Sequence, residues 1–371
     1  MTAGLHIVIA GGGTGGHLYP GLALADALGA RGIPVTFVGT AGGIEARVVP
    51  AAGYPLHLLP GRQLRGGGPG RALTGLATAA GAALRGIGLL GALRPSLVVG
   101  VGGYASVAVV VAAAARRIPT VLLEQNAVPG AANRLLARLA RRVCVGFAES
   151  AALFPAGRAL HTGNPVRSDL LRPRPLRDRP GLLVFGGSGG AHRVNEATLG
   201  GLQALGEVAR SIDVMHQTGV ADVDSVRARY AAIGLAVRVE PFITDMGAAY
   251  AAADLVVGRA GAMTCAEVTA VGLPSILVPY PYAADDHQRR NAEILVRAGA
   301  AEMILDAELT GARLAASLGR LLEDPARRTA MAARAQALGR PDAAERVAGE
   351  CLRIASAPVA RKKMQPMVGG T

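Results

Sequence analysis

Aromatic side chains are scarce in this sequence. The 371 residues include no tryptophan, five phenylalanines and seven tyrosines, so aromatic residues make up 3% of the chain. Proteins that bind single-stranded nucleic acid use aromatic rings as platforms on which the bases stack. The shortage of such rings therefore argues against nucleic acid as a partner, even though the formal net charge of the chain is +13.

Cysteine and lysine are also rare. Cys144, Cys265 and Cys351 are the only cysteines, and their spacing fits neither a disulfide framework nor a zinc site. We therefore expect a reducing compartment and no bound metal. The only lysines are Lys362 and Lys363, so nearly all of the positive charge comes from arginine. This charge favours anionic partners, such as nucleotides or phospholipid headgroups.

One stretch is long and apolar enough to imitate a membrane span. Residues 96–115 contain no charged side chain, but Gly100, Gly102 and Gly103 interrupt the first half. We interpret the stretch as a buried strand (97–101), a glycine turn and a buried helix (105–116), because strands and helices alternate on both sides of it.

The most distinctive segment is the glycine-rich run from Gly11 to His17. A short apolar run precedes it and a helical pattern follows. A glycine turn between a strand and a helix allows backbone N–H groups to approach an anion at the helix N-terminus. The pattern predicts a phosphate or diphosphate site with His17 at its rim, as a candidate general base. A plain tight turn is one alternative. A nicotinamide site is disfavoured, because the predicted second strand ends at Thr40 without a carboxylate.

Alternating strands and helices predict an α/β protein with two mostly parallel sheets. The predicted strands cover residues 5–10, 35–39, 56–59, 97–101, 120–124, 143–147 and 160–162, and then 182–185, 213–217, 237–240, 255–257, 275–278 and 302–305. We predict an N-terminal Rossmann-like domain at 1–164 and a second at 165–340. A C-terminal helix at 341–356 would pack back on the first domain, and a disordered tail would cover 357–371.

The second half contains further candidate binding residues. A glycine loop at 186–190 follows its first strand, and the segment 259–267 follows a later strand and enters a helix. Glu267 lies within the first turns of that helix, where its carboxylate could accept both ribose hydroxyls or merely complement the helix dipole. Gln288 and Asn291 share one helix face, where their amides suit sugar hydroxyls; a solvated helix start is the alternative.

Taken together, these segments resemble the MurG family of glycosyltransferases, which belongs to glycosyltransferase family 28. The resemblance spans about residues 5–300. Its motifs are Gly12-Gly13-Thr14-Gly15-Gly16-His17, Gly102-Gly103-Tyr104, Glu124-Gln125-Asn126, Gly163-Asn164-Pro165-Val166-Arg167, Gly186-Gly187-Ser188, Arg259-Ala260-Gly261-Ala262 and Gln288 with Asn291-Ala292. Each motif is weak alone, but the set occurs in the order and spacing of that family.

The resemblance implies a GT-B fold, in which two Rossmann-like domains face a cleft. It implies an inverting, metal-independent transfer of N-acetylglucosamine from UDP-N-acetylglucosamine, with no cofactor. The acceptor would be the 4-hydroxyl of undecaprenyl-pyrophosphoryl-N-acetylmuramyl-pentapeptide, a step of peptidoglycan synthesis. Other implied partners are the anionic surface of the cytoplasmic side of the bacterial membrane and proteins of cell-wall synthesis.

The resemblance also implies roles by position. The donor UDP-N-acetylglucosamine would contact Thr14, Gly15, Gly16, Asn126, Arg167, Ser188, Ile243, Ala262, Met263, Thr264, Cys265, Ala266, Glu267, Gln288 and Asn291. Ile243 would meet uracil through its backbone, Glu267 would hold the ribose, and Ser188 would hold the diphosphate. The acceptor would contact Gly12, Gly13, Gly102, Gly103 and Tyr104, and His17 would be the catalytic base.

Three features depart from the family pattern. The segment after Tyr104 lacks a Ser-Gly-Pro turn, Gly189 replaces a bulkier residue, and the expected membrane patch lacks tryptophan and phenylalanine. The best candidate for membrane docking is the segment 62–94, which mixes arginine with leucine, although its leucines could equally face a core. Another GT-B enzyme with a glycolipid or natural-product acceptor, or a non-catalytic UDP-sugar-binding protein, remains the alternative.

Overall fold

The computed structural model describes residues 4–60 and 69–357, with backbone only for residues 69–80. The first sheet has seven parallel strands in the order β3-β2-β1-β4-β5-β6-β7. They are β1 (Ile7–Gly11), β2 (Val35–Thr40), β3 (Leu56–Leu59), β4 (Leu97–Gly102), β5 (Thr120–Glu124), β6 (Arg142–Val145) and β7 (Ala159–His161). The central strands are buried throughout, as expected for a parallel sheet that helices cover on both faces.

Helices cover both faces of this sheet. They are α1 (Gly15–Gly29), α2 (Glu45–Ala51), α3 (Pro69–Leu93), α4 (Gly103–Ala115) and α5 (Ala131–Leu136). One face packs against α1 and α2 in a core that includes Leu24 and Val49. The opposite face packs against α3, α4 and α5 in a core that includes Leu90, Val109 and Leu136.

The second sheet has six parallel strands in the order β10-β9-β8-β11-β12-β13. They are β8 (Gly181–Phe185), β9 (Asp213–Gln217), β10 (Val237–Glu240), β11 (Leu255–Arg259), β12 (Ser275–Val278) and β13 (Ala301–Met303). The helices of this half are α6 (His192–Leu205), α7 (Glu207–Arg210), α8 (Val223–Ala232), α9 (Met246–Ala251), α10 (Ala262–Ala270), α11 (His287–Arg297), α12 (Gly311–Leu322), α13 (Pro325–Leu338) and α14 (Ala343–Ala355). Short 3-10 helices occupy Ala148–Leu153, Ser168–Leu170, Ala284–Asp286 and Asp306–Glu308.

The two parallel sheets confirm the predicted α/β class with two Rossmann-like halves. The uncharged stretch 96–115 forms β4 and α4, with the helix starting at Gly103 rather than at residue 105. No helix within residues 4–60 and 69–357 is both long and apolar enough to cross a bilayer. Residues 358–371 of the predicted disordered tail lie outside the described residues.

The C-terminal helix α14 does not pack on the second sheet. Val347 and Cys351 are fully buried in the core on the α1 side of the first sheet. Arg142 of β6 donates from Nε to Glu350 Oε1 at 2.6 Å. The chain therefore passes between the two halves twice, near residue 164 and again between α13 and α14.

Candidate functional site

The glycine-rich run at 11–17 is positioned by contacts with the backbone of a neighbouring loop as well as by its own conformation. Gly11, Gly12 and Gly13 have φ values of 142°, 139° and 83°, which favour glycine. Gly12 N donates to Gly102 O at 3.2 Å, and a Cβ on Gly103 would overlap Gly12 O. These glycines, which the sequence assigns to acceptor contacts, therefore pack on one another, and each loop fixes the position of the other.

A buried carboxylate lies beneath this loop. Glu45, at the start of α2, is 1% exposed. Its Oε2 accepts from Gly13 N at 2.7 Å, and its Oε1 accepts from Thr40 N and Thr40 Oγ1, both at 2.9 Å. The Gly13 N–H is thus already bound to a carboxylate and does not point to a free anion site. No motif in the sequence points to Glu45.

The ring of His17 lies against the two glycine loops of the first half. Its Nδ1 lies 3.4 Å from Gly12 O, and its ring packs against Gly102, where a Cβ would lie 2.7 Å from His17 Cδ2. A carbonyl oxygen only accepts, so Nδ1 carries the hydrogen and Nε2 keeps its lone pair. Burial lowers the pKa of His17, so its ring is neutral at pH 7. The charge of His287, in the second half, lowers this pKa further.

Beside His17, the remaining residues of the first half lie at the carboxyl ends of β1, β4 and β5. Thr14 and Gly16 are exposed, and Gly15 begins α1. The Tyr104 Oη is buried without a hydrogen-bond partner among the described residues, and burial raises the pKa of this phenol. Such an unpaired hydroxyl is available to a polar group of a ligand.

Glu124 organises the segment that leads to Asn126. Its carboxylate accepts from Asn126 N at 3.0 Å, Gly130 N at 3.1 Å and Asn133 Nδ2 at 2.9 Å. Burial raises the pKa of Glu124, while these donors oppose the rise. The side chain of Asn126 contacts both halves, because its Nδ2 donates to Glu124 Oε1 at 3.5 Å and its Oδ1 accepts from Asn291 Nδ2 at 3.2 Å.

Asn291 joins the two halves. Its Oδ1 accepts from Ala127 N at 2.9 Å, and its Nδ2 donates to Asn126 Oδ1 at 3.2 Å and Ala260 O at 3.3 Å. Asn291 is fully buried. Its neighbour on the same helix face, Gln288, is half-buried and accepts from Tyr280 N at 2.9 Å. Both ends of the Asn291 amide thus have protein partners, whereas Gln288 Nε2 has no partner among the described residues; contact of these two amides with a sugar stays a prediction.

Helix α10 carries Glu267 near the linker between the halves. Tyr250 Oη donates to Glu267 Oε2 at 2.8 Å. Burial raises the pKa of Glu267 to about 7, and the charge of Arg167 opposes the rise. The Arg167 guanidinium also lies over the ring of Tyr19 in α1, 5.3 Å from its centroid. Glu267, Arg167 and the start of α1 thus face a common cleft.

The other α10 residues divide into two groups. Ala262 and Cys265 are buried in the core of the second half, so only their backbone can meet a ligand. Met263, Thr264 and Ala266 are half-buried. Behind this helix, a cavity of about 260 Å³ separates the halves; its lining includes Cys265, Ala266, Thr269, Phe147, Asn164 and Arg340.

The glycine loop at 186–190 and Ile243 form the rest of the cleft wall in the second half. Ser188 is exposed at the tip of the loop that follows β8. Ile243 is 6% exposed, and its N–H donates to the side chain of Gln217. No group of three or more metal-ligating side chains occurs among residues 4–60 and 69–357. Gln217 belongs to none of the motifs in the sequence.

Two parallel-sheet, Rossmann-like halves that face a shared cleft define the GT-B class of glycosyltransferases. A family model described as the glycosyltransferase family 28 N-terminal domain matches residues 7–145. The model of the corresponding C-terminal domain matches residues 181–347. The chain belongs to glycosyltransferase family 28.

Three individual proteins illustrate the similarity. The chain is 47% identical over 356 residues to the UDP-N-acetylglucosamine--N-acetylmuramyl-(pentapeptide) pyrophosphoryl-undecaprenol N-acetylglucosamine transferase of Anaeromyxobacter sp. (strain K), covering 94% of this chain and 93% of that protein. The transferase of the same name from Myxococcus xanthus (strain DK1622) is 46% identical, with the same coverage. Among solved structures, the crystal structure of Acinetobacter baumannii MurG matches with a TM-score of 0.76 and 32% identity, covering 94% of this chain and 99% of that one.

Proposed function

We propose that this chain transfers N-acetylglucosamine from UDP-N-acetylglucosamine to the 4-hydroxyl of undecaprenyl-pyrophosphoryl-N-acetylmuramyl-pentapeptide, with inversion, in peptidoglycan synthesis. The observation that carries the proposal is the 47% identity, over 94% of the chain, to a transferase whose name specifies this donor and acceptor. The cleft between the two halves supports it, because most of the predicted donor residues lie in the second half, whereas His17 lies in the first.

Most of the donor site lies in the second half of the chain, and Thr14, Gly15, Gly16 and Asn126 of the first half complete it. Glu267 accepts hydrogen bonds from the ribose hydroxyls, and its unused oxygen Oε1 is the natural acceptor because Tyr250 already donates to Oε2. Ser188 and the backbone of its glycine loop meet the diphosphate. Gln288 reads the sugar with its amide nitrogen, and Asn291 does so after release from Asn126.

His17 removes the acceptor proton. As the 4-hydroxyl oxygen attacks the anomeric carbon, its proton passes to the lone pair of Nε2, while the Nδ1–H bond to Gly12 O fixes the ring. The bond from the anomeric carbon to the diphosphate breaks, and UDP leaves with the bonding electrons. The backbone N–H groups at the start of α10, whose helix dipole adds positive potential, stabilise the charge that develops there.

Closure of the two halves aligns the reactants and excludes water, which limits hydrolysis of the donor. We place the hinge at residues 164–167, between domains at 1–164 and 165–340. Asn164 supports this position, because its Nδ2 donates to Gln125 O at 2.9 Å and ties the hinge to the segment before Asn126.

The acceptor is anchored in a bilayer, so the enzyme acts as a peripheral protein on the cytoplasmic face of the membrane. The outer side of α3, α4 and α5 is the docking surface we favour. Its exposed leucines and valine are Leu84, Val111, Leu135 and Leu139, and the exposed arginines nearby in sequence are Arg85, Arg116, Arg117, Arg134, Arg138 and Arg141. Apolar residues flanked by arginine bind an anionic lipid surface reversibly.

The segment 62–94, favoured from the sequence, supports this surface only in part. Leu84 is 69% exposed and Arg85 is also exposed, but Ile87 packs against the core of the first sheet. Residues 61–68 and the side chains of residues 69–80 lie outside the described part of the chain. The surface therefore rests more on α5, where Leu135 is 65% exposed.

Sedimentation with vesicles tests the docking surface. We expect the protein to bind phosphatidylglycerol-containing vesicles at low salt and to leave them at high salt. Replacing Arg134 and Arg138 by Glu should abolish binding while leaving UDP affinity unchanged. A matched double variant, Arg227→Glu with Arg313→Glu on the second half, should bind as the wild type does. If both double variants bind the vesicles as well as the wild type does, the docking surface lies elsewhere on the protein.

UDP release tests the proposed activity. Purified protein should release UDP from UDP-N-acetylglucosamine only when a lipid-pyrophosphate-linked muramyl acceptor is present, and a metal chelator should leave the rate unchanged. Release with a different glycolipid or a natural-product acceptor, but not with this one, would indicate another GT-B enzyme. Binding of UDP without turnover on any acceptor would indicate a non-catalytic UDP-sugar-binding protein.

A further inference from the structure

Gln217 stands between two loops of the donor site. It is the last residue of β9, and its neighbours in the sheet are Phe185 at the end of β8 and Glu240 at the end of β10. The loop after β8 carries Ser188, and the segment after β10 carries Ile243. Gln217 therefore ends the strand that lies between the strand leading to the proposed diphosphate loop and the strand leading to the proposed uracil segment.

The side-chain amide of Gln217 bridges these two segments. Its Nε2 donates to Gly187 O at 2.8 Å, and its Oε1 accepts from Ile243 N at 3.0 Å. Gln217 is 3% exposed, so neither hydrogen bond exchanges readily with water. The amide group is planar, so its two ends cannot shift independently, and the bridge fixes the separation of the two segments.

The hydrogen bond between Gln217 and Ile243 determines which backbone group of Ile243 is available to a nucleotide base. Because the Ile243 N–H is bound to Gln217, this peptide group presents its carbonyl oxygen, which accepts no hydrogen bond from the described residues. A carbonyl oxygen accepts from the N3–H of uracil. Cytosine has a lone pair on N3 instead, and two acceptors that face each other repel.

The other end of the bridge supports the diphosphate loop. Gly187 O also accepts from Gly190 N at 3.0 Å, so two donors meet at this oxygen and close the turn whose tip is Ser188. A Cβ on Gly190 would overlap Thr218 O, the carbonyl directly after Gln217. The loop is thus packed onto the end of β9 without space for adjustment.

We infer that Gln217 is a positioning residue that makes the donor site select uracil and that couples this selection to the diphosphate loop. The inference rests on the proposed use of UDP-N-acetylglucosamine. Gln217 acts through Ile243 and Gly187 and does not itself touch the reacting atoms.

Two substitutions separate the two ends of the bridge. Gln217→Leu removes both hydrogen bonds at nearly constant volume. Gln217→Glu, at pH 8, keeps an acceptor for the Ile243 N–H but places a carboxylate against Gly187 O and near the diphosphate. Thr198→Val removes a buried hydroxyl from α6 of the same half and is the matched control, because Thr198 donates only to Val194 O.

Calorimetry with UDP and CDP measures the effect. We expect the wild type and Thr198→Val to prefer UDP to the same degree. Gln217→Leu should lose about tenfold of this preference, the equivalent of one neutral hydrogen bond. Gln217→Glu should keep the preference but bind both nucleotides more weakly. A thermal melt of each variant verifies that it is folded.

The outcomes distinguish this inference from the proposed function. If folded Gln217→Leu keeps the full preference for UDP while binding both nucleotides less well, Gln217 is structural only and the inference is overturned. If Gln217→Leu does not fold, Gln217→Glu still tests the inference. This variant keeps an acceptor for the Ile243 N–H, so loss of its preference for UDP would contradict the proposed role of that hydrogen bond. If the wild type itself does not prefer UDP to CDP, the proposed donor is wrong.

Discussion

The side chain of Asn291 in the second half donates to Asn126 of the first half, with 3.2 Å from Nδ2 to Oδ1. The same amide accepts from the backbone of Ala127 at 2.9 Å. One buried side chain therefore holds the two walls of the cleft at their closest approach. It does so next to Gln288, the residue predicted to read the donor sugar.

Replacing Asn291 by Ala should destabilise the protein by about 1–3 kcal/mol, because the buried N–H of Ala127 loses its acceptor. Asn291→Asp keeps that acceptor but turns a second oxygen toward Asn126 Oδ1 and Ala260 O, so it should cost at least as much. Urea unfolding measures both effects. If Asn291 also reads the sugar, the alanine variant should lose more affinity for UDP-N-acetylglucosamine than for UDP. An equal loss for both ligands would limit Asn291 to the contact between the halves.

Glu267 should make stability depend on pH. Its pKa is about 7 in the folded protein, above the ordinary value of 4.5, so the folded state holds this proton more tightly than the unfolded state. Stability should therefore fall as the pH rises from about 4.5 through 7, and the fall should vanish in Glu267→Gln. Melting temperatures of the two proteins from pH 5 to pH 8 measure this difference.

Two controls sharpen the assignment of Glu267. Tyr250→Phe removes the hydroxyl that favours the ionised carboxylate, so the fall in stability should extend to higher pH. Glu267→Ala should weaken UDP binding, since the ribose hydroxyls lose a charged acceptor worth about 1.5–3 kcal/mol. Unchanged UDP affinity in Glu267→Ala would remove this residue from the site.

Loss of His17 should affect turnover far more than donor binding. His17→Ala should lower kcat by ~10²–10⁴-fold, the usual contribution of a general base. Because burial lowers the pKa of His17, the midpoint of the fall in rate toward acid pH should lie below 6.5, the ordinary value for histidine. His57→Ala, an exposed histidine on β3, is the control. A decrease of less than tenfold would assign the proton to another group or to water.

Glu45 should be needed to shape the loop that carries His17. In Glu45→Gln, the amide nitrogen must face at least one of the N–H and O–H groups of Gly13 and Thr40 that now donate to the carboxylate. We expect a loss of about 1.5–3 kcal/mol in stability and a lower kcat. Glu308→Gln, on an exposed carboxylate of the second half, should change neither. Wild-type stability and kcat in Glu45→Gln would refute this role.

The sequence predicted most of the framework, because the buried parallel strands are continuous apolar runs. Strands 56–59, 120–124, 213–217, 237–240 and 275–278 match the structure at both ends. A break separates α13, which ends at Leu338, from α14, which starts at Ala343, so the helix predicted at 341–356 begins two residues later than expected. Gly339 and Pro341 mark this break, because a Cβ on residue 339 would overlap Thr269 O and proline lacks an N–H.

Some residues of the candidate site could not be predicted from the sequence, and the reason is physical. Glu45 reaches Gly13 across 32 residues of chain, and Gln217 reaches Ile243 across 26. Neither residue belongs to a spaced motif, because each binds backbone atoms that every residue has. The glycine loops could be located from composition, but the side chains that hold them in place depend on how distant strands end side by side.

Because α14 packs on the first sheet, the core of the first half is completed only after the end of the chain has been synthesised. Val347 and Cys351 fill the core on the α1 side of that sheet, although they are made after both sheets. Ribosomes release the chain from its N-terminus, so the first half emerges with an apolar groove that stays open until α14 has been synthesised. A chain stopped before Ala343 leaves that groove exposed and is a target for chaperones and proteases.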